Sequence, residues 1–395
     1  MTKAIGSGRI NSIDILRGIV MVIMALDHVR EFFNIDALTK DPLDIENGTA
    51  VMFFTRWITH YCAPTFVFLS GISAGLSASK KSLKEGSAFM IRRGVWLIFA
   101  EITIITFALT YNPFYHFIIF QVIWVIGWGL VLLGLVRLLS QKAVLFIGLI
   151  IVLGHNLLDY VHLPEGSAKQ AVINIFFQSR GFTIPFSDER LLVFLYAIIP
   201  WAGIMMIGYG IYPWFLNYSQ AQRKKMLMVA GLSSIFLFLA IRFVNLYGDP
   251  LPWLPQKTGF QTFLSFLNTT KYPPSLLYTA MTIGPALLAL AFLEKSTNRL
   301  ANLCMVYGKV PFFYYVLHFY TIHTLSVALF FISGYGSKDI ISADSPFWFR
   351  PPTFGYSLPL TYLIWLAIVA GLYVPCIRFA AYKRAHSDKW WVHYL

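Results

Sequence analysis

Asp14, Arg17, Asp27 and His28 interrupt an otherwise apolar run, SIDILRGIVMVIMALDHVREFF at 12–33. Arg17 and His28 are eleven positions apart, roughly 1100° at 100° per residue, which is about 20° from three full turns. Both side chains therefore leave one face of a helix, about 16 Å apart along its axis. A neutral imidazole takes up a proton near physiological pH, the property required of a general base. Asp14, three residues before Arg17, is placed to pair with it. Asp27 is turned about 100° from His28 and is expected to serve a neighbouring helix.

A second cluster begins at Arg56-Trp57-Ile58-Thr59-His60-Tyr61-Cys62-Ala63-Pro64, where Arg56, His60 and Pro64 recur every four residues and are expected to share a face. Pro64 has no N–H, so the His60 carbonyl loses its helical donor and is free to accept another. A third lies in GKVPFFYYVLHFYTIH at 308–323, with His318 and His323 about 140° apart, so one pocket holds only one of them. Glu101 and Arg242 are further charges inside apolar runs, and Lys271 stands in the polar, proline-containing NTTKYPPS at 268–275. By depth, Asp27, His28, Arg56, His60, Lys271 and His323 are expected to converge in one half of the molecule, with Arg17 below. No histidine pair has helical metal spacing and no cysteine pair a zinc spacing, so no metal site is expected. Cys62, Cys304 and Cys376 are read as packing residues.

The elements that position these groups follow from composition. Of 395 residues, 57% are hydrophobic and 12% charged, about half the charge of a soluble domain. That excludes a soluble coat and a disordered chain alike. Continuous apolar runs give ten helical spans, at 12–33, 57–78, 92–111, 114–138, 143–160, 191–216, 226–247, 273–293, 309–332 and 356–381. The expected fold is all-α, a polytopic membrane protein with about ten transmembrane helices in one bundle, and 1–395 forms a single domain.

Charge orients the bundle. One set of connections holds Lys3, Arg9, Lys80, Lys81, Arg92, Arg93, Arg137, Lys142, Arg223, Lys224, Lys309, Lys383 and Arg384, while the other holds acids such as Glu31, Asp36, Asp41, Asp44, Glu46, Glu165, Asp188, Glu189 and Asp339. The positive-inside rule places both termini in the cytoplasm. The net charge of +13 is thereby a topology signal, and no nucleic-acid partner is expected. The N-terminus shows no cleavable signal pattern. The longer connections, near 34–56, 161–190, 248–272 and 333–355, fall on the outer side, where a bulky polar partner would be met. Their aromatics, Trp253, Tyr272, Trp348 and Tyr356, suit sugar rings or an interfacial belt equally.

Segments 12–33, 56–75 (RWITHYCAPTFVFLSGISAG), 271–288 (KYPPSLLYTAMTIGPALL) and 308–323 resemble bacterial proteins similar to heparan-α-glucosaminide N-acetyltransferase, relatives of the acyltransferase-3 proteins with their Arg-x10-His spacing. The resemblance implies a multi-pass enzyme of the bacterial inner membrane that passes an acetyl group from cytoplasmic acetyl-CoA, its cosubstrate, to an amine or hydroxyl of an extracytoplasmic sugar or glycan. It assigns the base to His28, with Asp27 orienting it, and gives His60, His323 or Lys271 the thioester carbonyl or the acceptor. Arg17, with His318, Lys271 and Arg56, would hold the cofactor. The lysosomal member's dimer implies a homodimer. That member's catalytic histidine lies in the loop after the first span; residues 29–59 here contain none, so the role falls to His28 or His60. Direct transfer and an acetyl-histidine intermediate both remain open. A transporter or flippase using intramembrane His, Asp and Arg is the alternative reading.

Overall fold

The computed structural model describes residues 10–161, 164, 166–179, 181–386 and 388–393; Lys3, Arg9 and Glu165 of the charge argument lie outside the described residues. The order of elements is α1 (Asn11–Phe33), α2 (Ala50–Thr59), α3 (Cys62–Ala78), α4 (Leu83–Ala100), a π turn (Glu101–Ile105), α5 (Thr106–Thr110), β1 (Phe117–Phe120), α6 (Val122–Val136) and α7 (Gln141–Gly154). Then come α8 (Ala168–Ile173), β2 (Phe182–Ser187), β3 (Arg190–Phe194), α9 (Ile198–Gly210), α10 (Pro213–Asn217), α11 (Gln220–Val244) and α12 (Gly259–Leu267). The last four are α13 (Leu276–Leu293), α14 (Arg299–Lys309), α15 (Pro311–Ile332) and α16 (Leu358–Ala385).

Among the described residues, eight helical stretches are long and apolar enough to cross a membrane. They occupy eight of the ten predicted spans, and α1 and α6 occupy the other two. This is a helical polytopic membrane protein. α6 is shorter than its predicted span because Tyr111 turns left-handed at φ 47°, and the chain then enters β1 before the helix starts. Likewise 191–194, assigned to the sixth span, pairs as β3. Short runs of Phe, Ile, Leu and Val are ambiguous between strand and buried helix. Here β3 runs parallel to β1 (Phe117 opposite Leu191) and antiparallel to β2 (Phe182 opposite Phe194), a small sheet that the all-α expectation omits.

Helix starts follow local chemistry. Ser82 with Glu85 opens α4, and Ser219 with Gln222 opens α11, each as a reciprocal capping box. Pro311 occupies the first turn of α15, where a missing N–H costs nothing. The small residues of α3 allow a close crossing with α9. A Cβ on Gly71 would lie 2.0 Å from the Met205 carbonyl oxygen, and one on Gly208 would lie 2.1 Å from that of Phe68.

α1 is the central element, touching α2, α3, α13, α14, α15 and α16. Its ionisable groups therefore face protein rather than lipid, which is what makes them tolerable. At its lower end it meets α14 without intervening side chains. A Cβ on Gly18 would lie 1.7 Å from the Cys304 carbonyl oxygen, and one on Gly308 would lie 1.9 Å from that of Asp14.

Candidate active site

His28 and His318 meet at the centre of the bundle, His28 Nδ1 lying 2.7 Å from His318 Nε2. The far side of the His318 ring fixes the roles. Its Nδ1 lies 2.5 Å from the Tyr315 carbonyl oxygen and 3.2 Å from that of Tyr314, and carbonyls only accept, so Nδ1 carries the proton. In the neutral ring Nε2 is then a lone pair, and it accepts from His28 Nδ1–H. By elimination His28 Nε2 is left unprotonated. Phe319 stacks on the His28 ring at 4.3 Å and holds its plane. His318 is wholly buried, whereas His28 keeps some accessible surface.

That surface faces a chamber of about 40 Å³ whose walls include Asp27, His28, Cys62, Gln121, Tyr196, Lys271 and Tyr315. Asp27 is buried between two guanidiniums, accepting from Arg30 Nη2 at 3.2 Å and from Arg56 Nη1 of α2. It turns to a neighbouring helix, as the 100° offset from His28 requires. Lys271 is buried in an aromatic cage, its Nζ 4.9 Å from the Tyr272 ring centroid and 5.7 Å from that of Tyr196. Burial raises the Tyr272 phenol, but the charges of Lys271 and Arg56 outweigh it and hold the phenol below its ordinary value. The loop carrying Lys271 is pinned by Asp249, which accepts from Thr270 N and Thr270 Oγ1, each at 2.9 Å, and from Ser275 Oγ at 2.6 Å.

Below the chamber lies a larger cavity of about 230 Å³. Arg17, Arg93, Lys309 and Lys383 line it together with the hydroxyls of Ser70, Ser73 and Ser77 and apolar residues such as Leu97 and Ile126. Arg17 is held there by Asp14 Oδ1 at 3.1 Å, Ser73 Oγ at 2.5 Å and the Gly308 carbonyl at 3.2 Å. The two cavities share Phe66 and Tyr315 as a common wall. A cation-lined shaft thus ends at a small chamber of mixed polar and apolar walls holding one accessible imidazole.

Arg17, Asp27, His28 and Lys271 of the predicted site line these cavities, and Arg56 and His318 stand directly behind them. α2 ends at Thr59 and α3 begins at Cys62 with Pro64 in its first turn, while His60 and Tyr61 between them keep right-handed helical backbone angles, and His60 and Pro64 are both buried. The His60 ring is buried edge-on to Tyr278 at 5.5 Å, and its carbonyl accepts from Tyr278 Oη at 2.7 Å, the use expected of an acceptor orphaned by Pro64. His323 is placed away from both cavities, stacked on Tyr111 at 3.8 Å, with its ring nitrogens against the carbonyls of Ala108 (3.1 Å) and Trp348 (2.9 Å). The 140° offset from His318 accounts for this. Glu101 accepts from Trp124 N at 2.8 Å and Gln121 N at 3.3 Å, capping α6. Arg242 donates to the carbonyls of Leu251, Ser265, Phe266 and Asn268. Both side chains are spent on backbone groups.

Gln121, Tyr196, Tyr315 and Asp249 escaped the sequence reading. Tyr315 precedes His318 by three residues and so shares its face, a signal present in the spacing. The other three reach the site through tertiary folding alone. Among the described residues, no group of three or more His, Cys, Asp or Glu is arranged to hold a metal ion.

Residues 9–242 match the family described as heparan-alpha-glucosaminide N-acetyltransferase, catalytic. No curated protein matches the chain. The match takes in Arg17, Asp27, His28 and Arg56, while Lys271 and His318 lie beyond it. Since it spans more than half of the sequence, this chain, a membrane N-acetyltransferase in general character, belongs to the heparan-alpha-glucosaminide N-acetyltransferase catalytic family.

Proposed function

We propose that the protein uses acetyl-CoA to acetylate an amine or hydroxyl of a sugar or glycan across the bacterial inner membrane, with His28 as general base. The observation that carries this reading is the hydrogen-bond chain from the Tyr315 carbonyl through His318 to His28, which leaves Nε2 unprotonated on a ring that lines the chamber. The end bearing Arg93, Lys309 and Lys383 faces the cytoplasm in this reading, so the nucleotide phosphates meet the cations and the pantetheine arm lies in the shaft.

At the chamber the acceptor nitrogen or oxygen attacks the thioester carbonyl carbon while His28 Nε2 takes its proton. The carbonyl oxygen gains negative charge, and Lys271 is the cation in the chamber wall suited to stabilise it. The carbon–sulfur bond then breaks, and the CoA sulfur leaves as thiol after recovering the proton from His28. Asp27, held by Arg30 and Arg56, keeps α1 and α2 in register and offsets the positive charge around the base.

The test is to incubate purified protein with radiolabelled acetyl-CoA and a panel of amino sugars and glycans. Label transfer to at least one acceptor with release of free CoA is expected. Neither thioester consumption nor acetyl-CoA binding would overturn the reading.

A further inference from the structure

Tyr315 stands one turn before His318 on α15, and its ring forms part of both the shaft and the chamber. Phe66 of α3 is the other residue common to the two. The Tyr315 ring meets His28 edge-on at 6.4 Å and Phe319 at 5.2 Å. Its hydroxyl is fully buried and has no hydrogen-bond partner among the described residues. A buried phenol left in that state is costly and calls for an explanation. Arg30 Nε, His60 Nδ1 and the Tyr314 hydroxyl are likewise buried without a partner among the described residues, but none of these three residues lines either cavity, whereas Tyr315 borders both.

The chamber volume points the same way. About 40 Å³ is room for roughly three water molecules, too little for an acyl carbonyl together with an attacking acceptor. Some part of the wall must give way when the site is occupied. His28 is held by His318, and Asp27 by its guanidiniums. Lys271 is held by a pinned loop. Tyr315 and Phe66 are the wall residues with the shaft on their other side, and the Tyr315 hydroxyl has no polar tie among the described residues.

We propose that Tyr315, backed by Phe66, is a gate between shaft and chamber, and that its hydroxyl donates to the acyl carbonyl oxygen once the gate has swung. The second clause rests on the acyl-transfer reading; the gate itself does not.

Cys62 supplies a reporter, because it lines the chamber and not the shaft. Full-length protein in nanodiscs is exposed to a small methanethiosulfonate reagent, and modification of Cys62 is followed by peptide mapping, which separates it from Cys304 and Cys376. Tyr315→Ala is expected to speed Cys62 modification at least 10-fold, and CoA, by filling the shaft, to reverse that gain. Tyr315→Phe, which keeps the ring, should leave the modification rate at the wild-type value. If Tyr315→Ala does not fold, Phe66→Ala opens the same wall from α3 and should give the same acceleration. An unchanged Cys62 rate in the folded opening variant overturns the gate. In turnover, Tyr315→Phe is expected to lower kcat about 10-fold with the KM for acetyl-CoA unchanged, and full kcat removes the hydroxyl's role. A wild-type protein that consumes no acetyl-CoA but still shows the split in Cys62 rates would sink the acyl-transfer reading and leave the gate standing.

Discussion

A histidine in a bilayer is informative only through what its second nitrogen touches. His28, His60, His318 and His323 all stood out by residue type, yet the structure separates them by partner. His323 lies between two carbonyls, His60 packs under Tyr278, and His318 turns one nitrogen to a carbonyl and the other to His28. Of the four, only His28 lines the shaft or the chamber. Removing a general base typically costs 10²–10⁴-fold, so His28→Ala should lower kcat by about 100-fold or more and leave acetyl-CoA binding within about 2-fold. Titration calorimetry beside a turnover assay reads both quantities, and a fully active variant would move the base elsewhere. His318→Phe keeps the ring but removes the acceptor that selects the His28 tautomer. Its kcat should fall about 10-fold, with partial recovery in His318→Gln, whose amide oxygen accepts the same hydrogen; equal losses in both would mean that His318 only fills space. The Arg17–His28 face was legible because both lie on one helix, where 3.6 residues per turn makes angle a matter of counting. The His28–His318 pair was not, since 290 positions separate its members and no local rule spans that distance.

Among elements, α1 carries the polar groups and depends on α14 for its position. Gly18 and Gly308 bring the two backbones into direct contact, so Arg17 can reach the Gly308 carbonyl at 3.2 Å. A larger side chain at position 18 must push α14 away and carry Lys309, at its end, out of the shaft wall. Gly18→Leu is therefore expected to weaken acetyl-CoA binding about 10-fold or more and to lower the thermal midpoint. Binding and melting measured on the same sample check this, and wild-type values for both would refute the close-packing account. The helix spans were legible because a bilayer demands about twenty apolar residues whatever the tertiary structure. The strands β1 and β3 were not, because Phe117–Phe120 and Arg190–Phe194 pair with each other across some seventy positions, and a short apolar run carries no mark of that. The break at His60–Tyr61 was half legible: Pro64 announced a free carbonyl but not that Tyr278 would claim it.

At the scale of the molecule, the bias of basic residues toward one set of loops and the cations of the shaft belong to a single asymmetry. Lys309 and Lys383 stand in both groups. If that end is cytoplasmic, a tag fused at either terminus should react with an impermeant reagent only after the membrane is broken open. Labelling of intact cells at either end would reverse the orientation and put the donor on the wrong side.

In the proposed reaction, the shared wall of shaft and chamber spares the CoA moiety from crossing the bilayer. Only an acyl unit would pass outward. If His28 returns its proton to the departing sulfur, a proton passes inward in the same turnover, and the two movements cancel electrically. The cycle would then be an exchange of acetyl for proton with no net charge displaced. Its rate in sealed vesicles should be indifferent to an imposed membrane potential, whereas loss of that proton to the acceptor side would make every acetylation electrogenic.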